Sequence, residues 1–131
     1  MSEVQASGAS GAAGPVLLIV DDEFDIAITY SMLFEYHGFR VLTAANGREA
    51  LAVAAGAAPD LILSDYMMPV MDGAALCHAV RADAALRDKP FILLSAGGMP
   101  EGTDAPYDLF LKKPVAFDRL LKEVRRLLAR G

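Results

Sequence analysis

The chain has 131 residues, 54% of them hydrophobic and 22% charged, with a net charge of −5. That length fits one domain and that composition a packed core, while the acidic balance excludes a general nucleic-acid binder, which needs a basic face. A single cysteine, Cys77, rules out an intramolecular disulfide and a thiolate metal cluster, and there is no apolar stretch of membrane-spanning length.

Residues 1–14 are rich in Ala, Gly and Ser and have no periodicity, so they are expected to be a disordered leader ahead of a folded domain at 15–131. The N-terminus lacks the positive and apolar regions of a signal peptide, and a cytoplasmic protein is expected. Gly8, Gly11 and Gly14 precede the first strand instead of following it, so they do not make a dinucleotide loop.

Val16-Leu17-Leu18-Ile19-Val20 is a continuous apolar run, the pattern of a buried strand, and it ends in Asp21-Asp22. The next segment is helical, with Ile26, Tyr30, Leu33 and His37 expected on its inward face and Gly38 as its stop. Residues 39–44 read as a second strand. Asn46 and Glu49 form a capping box, and Ala50, Leu51 and Ala54 are expected inward on the helix that follows. After the break at Pro59-Asp60, Leu61-Ile62-Leu63-Ser64 is a third strand, and it delivers Asp65 at its C-terminal end.

Asp72-Gly73 opens a third helix, with Leu76, Ala79 and Val80 inward and Cys77 read as a packed helix residue. Residues 90–94 form a fourth strand ending in Ser95. Residues 97–106 hold three glycines and two prolines, which disfavours a regular helix there. Residues 108–112 form a fifth strand, followed by Lys113-Pro114. A last helix places Leu120, Leu121, Val124, Leu127 and Leu128 on one face. Strands alternating with amphipathic helices predict an α/β fold, with a parallel sheet covered on both faces.

In a parallel sheet the strand C-termini share one edge, and that edge is where open α/β folds carry their chemistry. Asp21, Asp22, Asp65, Ser95 and either Lys112 or Lys113 meet there. Three neighbouring carboxylates repel one another, and a hard cation such as Mg²⁺ relieves the conflict. A cation, an ammonium and a hydroxyl together suit a phosphoryl group, which an aspartate can itself accept as an acyl phosphate. Each element also has a plain role: an Asp pair caps a helix, an Asp in a turn bonds its own backbone, and a Lys at a strand end is solvated. Those roles do not account for all of them arriving at one edge.

The motifs Ile19-Val20-Asp21-Asp22-Glu23, Asn46-Gly47-Arg48-Glu49-Ala50-Leu51, the run from Asp60 through Asp65 to Asp72-Gly73, Ser95-Ala96 and Phe110-Leu111-Lys112-Lys113-Pro114 are together specific. The chain closely resembles the receiver domain of bacterial two-component response regulators from residue 16 to about 129. The resemblance implies a flavodoxin-like (βα)5 doubly wound five-stranded sheet of strand order 2-1-3-4-5. It implies Asp65 as phosphoacceptor from a sensor histidine kinase or a histidine phosphotransfer protein. Asp22 and Asp65 would bind Mg²⁺ directly, Asp21 through a water, and Met67 through its backbone carbonyl. Ser95 would be the switch hydroxyl. Lys113 would contact the phosphoryl group, with Lys112 as runner-up, and the Lys113–Pro114 bond would be cis.

Two departures stand out against that family pattern. The Ser95–Lys113 interval is about four residues short, so the fourth helix is expected to be shortened or irregular. Phe110 occupies a position that often holds a switch tyrosine. The expected function is a phosphorylation-dependent switch with no output domain, acting on an unidentified downstream protein or relaying phosphate, without nucleic-acid or membrane partners. It would catalyse its own phosphoryl transfer and slow dephosphorylation without being a turnover enzyme. A phosphorylation-independent interaction module is the alternative. A phosphohydrolase with an Asp nucleophile ranks lower, because its acid/base Asp two positions on is here Met67.

Overall fold

The computed structural model describes residues 14–97 and 104–130. Among the described residues nine elements follow one another: β1 (Val16–Val20), α1 (Phe24–Tyr36), β2 (Arg40–Ala44), α2 (Gly47–Ala57), β3 (Leu61–Asp65), α3 (Gly73–Ala82), β4 (Phe91–Ser95), β5 (Leu109–Lys112) and α4 (Phe117–Arg130). All strand pairs are parallel, and the sheet order is β2-β1-β3-β4-β5. This is the predicted doubly wound 2-1-3-4-5 sheet, with four helices among the described residues.

Strand side chains alternate between the two faces of a pleated sheet. Leu17, Ile19, Leu61, Leu63, Ile92 and Leu94 pack with Phe34 of α1 and with Leu120, Val124 and Leu127 of α4. Leu18, Val20, Ile62, Phe91 and Leu93 pack on the other face with Ala50 and Ala54 of α2 and with Leu76, Cys77 and Val80 of α3. Both faces are thus buried, which is why the strands read as unbroken apolar runs.

Local signals place most boundaries. Asn46 caps α2 by accepting from Glu49 N at 2.9 Å, and the Glu49 side chain accepts from Ala45 N at 2.6 Å. Asp72 caps α3 through Ala75 N. Gly38, at φ +94°, ends α1 in the backbone region that glycine enters freely. Asp60 joins β3 to β1 through Val16 N at 2.8 Å.

Two expectations change. The inward face of α1 is Ala27, Ser31 and Phe34, while Ile26 and Tyr30 lie half-buried at its flank and Leu33 and His37 are exposed. On α3, Cys77 is buried and Ala79 only half-buried. In the connection between β4 and β5 no described residue is helical. The expected short fourth helix falls mainly on residues 98–103, outside the described residues, as does the expected leader over residues 1–13.

The far end of that connection is held firmly. Arg81, near the C-terminus of α3, donates to the carbonyls of Pro106, Arg87 and Lys89 at 2.7–3.0 Å and to Asp108 Oδ2 at 2.7 Å. Asp108 Oδ2 also accepts from Phe91 N at 2.7 Å, which ties the start of β5 to the start of β4.

Candidate functional site

The sheet order puts β1 and β3 side by side, so the acids that end them are neighbours. Carboxylate oxygens of Asp21, Asp22 and Asp65 lie within 4.8 Å of one another. Asp21 is buried at 5% exposure, Asp65 is half-buried and Asp22 is exposed. Asp21 keeps its plain role as well, since its Oδ1 accepts from Glu23 N at 2.9 Å and shapes the entry to α1.

The chain reaches this cluster from the far side of the sheet. Lys113, just after β5, places Nζ 2.9 Å from Asp65 Oδ1 and 3.4 Å from Asp21 Oδ2. Its backbone N–H donates to Ser95 O at 2.9 Å, and the Lys113–Pro114 peptide is cis. Of the two tandem lysines, Lys113 joins the acids, while Lys112 is exposed.

Burial pushes the Asp65 carboxyl above the usual carboxylate range. The Lys113 hydrogen bond and charge pull it down, and the charges of Asp21 and Asp22 push it up again. For the Lys113 ammonium, burial acts downward. The hydrogen bond to Asp65 and the charges of Asp21 and Asp65 outweigh burial and lift it above its ordinary value. The cluster thus carries a surplus of negative charge that one ammonium only partly offsets.

The loop after Asp65 is tightly placed. Tyr66 N donates to Leu94 O at 2.7 Å and Gly73 N to Tyr66 O at 2.9 Å. A Cβ at Gly73 would run into the Asp65 backbone carbonyl and sit 2.7 Å from Leu93 Cδ1. Gly47 lies equally close to Met71 and donates to its carbonyl at 3.1 Å. Between these anchors Met71 N bonds Pro69 O at 2.7 Å, closing a γ-turn around Val70 at φ +70°. The Met67 side chain is exposed beside Asp65.

Ser95 ends β4 at 3% exposure, and its hydroxyl accepts from Gly97 N at 3.2 Å. Phe110 is half-buried on the α2–α3 side of the sheet, its ring centroid 6.2 Å from that of Tyr107. The structure therefore brings Asp21, Asp22, Asp65 and Lys113 together, sets Ser95 on the same edge, and leaves Phe110 back along β5.

One neighbour escaped the sequence reading. Tyr30 and Lys113 line a cavity of about 550 Å³ between α1 and the turn after β5, together with Ile26, Thr29, Pro114 and Val115. Burial raises the Tyr30 hydroxyl above its ordinary value, Lys113 opposes this, and Asp21 and Asp65 add to it. Its half-buried position on the flank of α1 was hidden because every face of that helix carries apolar residues.

The donor set suits a hard divalent cation: three carboxylates, one nearly free of solvent, with an excess of negative charge. Cys77 offers nothing to the site, since burial pushes its thiol up to about 11.

A family model described as response regulator receiver domain matches residues 17–125. The chain is 36% identical over 120 residues to the DNA-binding dual master transcriptional regulator RpaA of Synechocystis sp., a match covering 88% of this chain and 50% of that protein. It spans about half the length of the curated relatives it matches. Among solved structures, the chemotaxis response regulator CheY4 of Vibrio cholerae is 36% identical, with a TM-score of 0.80 over 87% of this chain and 98% of that one. The receiver domain of a sensor histidine kinase from Pseudomonas aeruginosa is 27% identical, with a TM-score of 0.82 over 88% and 98%. That structure is described with a magnesium ion coordinated in its active site cleft.

Proposed function

The chain belongs to the response regulator receiver domain family, whose members serve phosphorylation-dependent two-component signalling, and on that footing we propose that Asp65 is the phosphoacceptor of this protein. The observation that carries the reading is the convergence of Asp21, Asp22 and Asp65 within 4.8 Å, bridged by Lys113 at 2.9 Å from Asp65.

In the proposed step an oxygen of the Asp65 carboxylate attacks the phosphorus of a phosphohistidine on a partner kinase or phosphotransfer protein. The P–N bond breaks as the P–O bond forms, and the imidazole leaves as its nitrogen takes a proton. Asp22, Asp65 and the Met67 carbonyl would hold Mg²⁺, with Asp21 acting through a bound water. When bound, the ion neutralises charge on the transferring group. Lys113 contributes a second positive charge, 2.9 Å from Asp65. Ser95 reaches an oxygen of the acyl phosphate by giving up its bond from Gly97 N. Phe110 is the β5 residue that repacks between buried and exposed positions when Ser95 moves.

The output is a change in the binding of a downstream protein, or onward relay of the phosphoryl group. Among the described residues no helix is long and apolar enough to cross a membrane, and a cytoplasmic site of action is part of the proposal. DNA binding is named for RpaA, of which this chain matches half. Incubation with acetyl phosphate and Mg²⁺ followed by intact-mass measurement tests the assignment. One phosphoryl addition is expected on the wild type and none on Asp65→Asn or in EDTA. An unlabelled wild type, under conditions that label CheY4, overturns it.

A further inference from the structure

The chemistry at Asp65 leaves unused the cavity between α1 and the turn after β5. Its volume is about 550 Å³, within the range of clefts that hold small organic ligands, which are mostly apolar with a few placed polar groups. Ile26 and Tyr30 of α1 line it from one side, and Pro114 and Val115 from the other. Of its polar lining groups, the Thr29 hydroxyl is already engaged, since it donates to Asp25 O at 2.8 Å. Asp25 itself is exposed in the first turn of α1. The Lys113 ammonium stands 2.9 Å from Asp65 Oδ1. The cavity is thus continuous with the acidic edge: Lys113 belongs to both, and Ala96, which also lines it, directly follows Ser95. An apolar group in the cavity and an anion at Asp65 can therefore be parts of one molecule.

Charge narrows the choice of molecule. Lys113 favours an anionic group at the inner end, while Asp25 disfavours a tail that ends in a second carboxylate. Taking Asp65 as the phosphoacceptor, we propose that the cavity receives the apolar chain of a small-molecule acyl phosphate, so that the protein accepts phosphoryl groups from butyryl phosphate in preference to acetyl phosphate. In that step an oxygen of the Asp65 carboxylate attacks phosphorus. The P–O bond to the acyl group breaks, and the carboxylate of the donor leaves with the bonding pair, so no proton is transferred. Butyrate and acetate are matched leaving groups, because added methylenes barely alter a carboxylate. Each methylene that passes from water into an apolar cavity is worth about fourfold in affinity. A chain held equally before and during transfer raises the rate at limiting donor and leaves the maximal rate unchanged.

The test follows labelling of the full chain by intact mass in Mg²⁺, at limiting acetyl phosphate and at limiting butyryl phosphate. The wild type is expected to react with butyryl phosphate at least about tenfold faster, as two buried methylenes require. Thr29→Trp fills the cavity from an exposed helix position, and Ile26→Asn makes one wall polar. Each is expected to bring the ratio of the two rates close to one. If Thr29→Trp loses helical circular dichroism, Ile26→Asn carries the comparison alone. Equal rates on the wild type overturn the proposal while leaving Asp65 as the phosphoacceptor. A butyryl preference that survives in a folded variant puts the chain elsewhere and overturns it too. No labelling by either donor, under conditions that label CheY4, overturns the assignment of Asp65 and this inference with it.

Discussion

At Asp65, burial and the neighbouring carboxylates oppose ionisation while Lys113 favours it, and the carboxyl ends above its usual range. A carboxyl raised in this way holds its proton more tightly in the folded chain than in the unfolded one. Its charge is therefore a penalty at neutral pH, and the penalty fades as pH falls through the folded value toward the unfolded one. In EDTA, Asp65→Asn is expected to melt a few degrees above the wild type at pH 7, with the gain shrinking toward about pH 4. A variant that melts lower at pH 7 contradicts this account of the cluster. Lys113→Ala leaves the acids without their ammonium and is expected to cost ~2 kcal/mol in metal-free urea denaturation. Lys112→Ala is expected to stay within ~0.5 kcal/mol of wild type. The residues by themselves left both lysines open and only the resemblance ranked Lys113 first, because successive strand residues point to opposite faces. A one-residue difference in where β5 ends decides which of them turns to the acids.

Elements were legible where one physical rule dominated. The strands of this sheet are buried on both sides and could be read as plain apolar runs, and α2 and α3 announced themselves by the caps Asn46 and Asp72. Helix α1 could be read as a helix but not oriented. Phe24, Ile26, Ile28, Tyr30, Met32, Leu33, Phe34 and Tyr36 surround it, so several faces satisfy the same period. The turn at Val70 was equally hidden, since a β-branched residue gives no sequence sign of a positive φ. Val70→Asn, which suits that conformation, is expected to stabilise the fold by about 1 kcal/mol in urea denaturation. An unchanged midpoint would mean that the loop carries no strain. Arg81 carries no sequence signal of its role, yet it serves three carbonyls and Asp108. Arg81→Ala strands those acceptors and is expected to cost about 2–3 kcal/mol, with denaturant midpoints as the measure.

Across the whole molecule, β1, β3 and β4 lie inside the sheet, with strand partners on both sides and helices over both faces. Their amides are expected to exchange most slowly with solvent, ahead of β2 and β5 at the edges, in hydrogen-exchange mass spectrometry. Equal protection of edge and centre would argue against that hierarchy. The architecture and the acidic edge were readable together because the strand sequence fixes which ends coincide, and chemistry-bearing residues sit at those ends. The cavity beside α1 was not readable, because exposure depends on which face the core claims. The Arg81 clamp carries one further consequence, for how the domain can diverge. It secures Pro106 and Asp108 to α3, so changes of length placed before Asp104 leave the register of β5 untouched. A deletion between Asp104 and Asp108 would instead pull the outer strand, and Lys113 with it, out of step. The short interval between Ser95 and Lys113 is thus a length that descendants can rewrite on one side of the clamp and must preserve on the other.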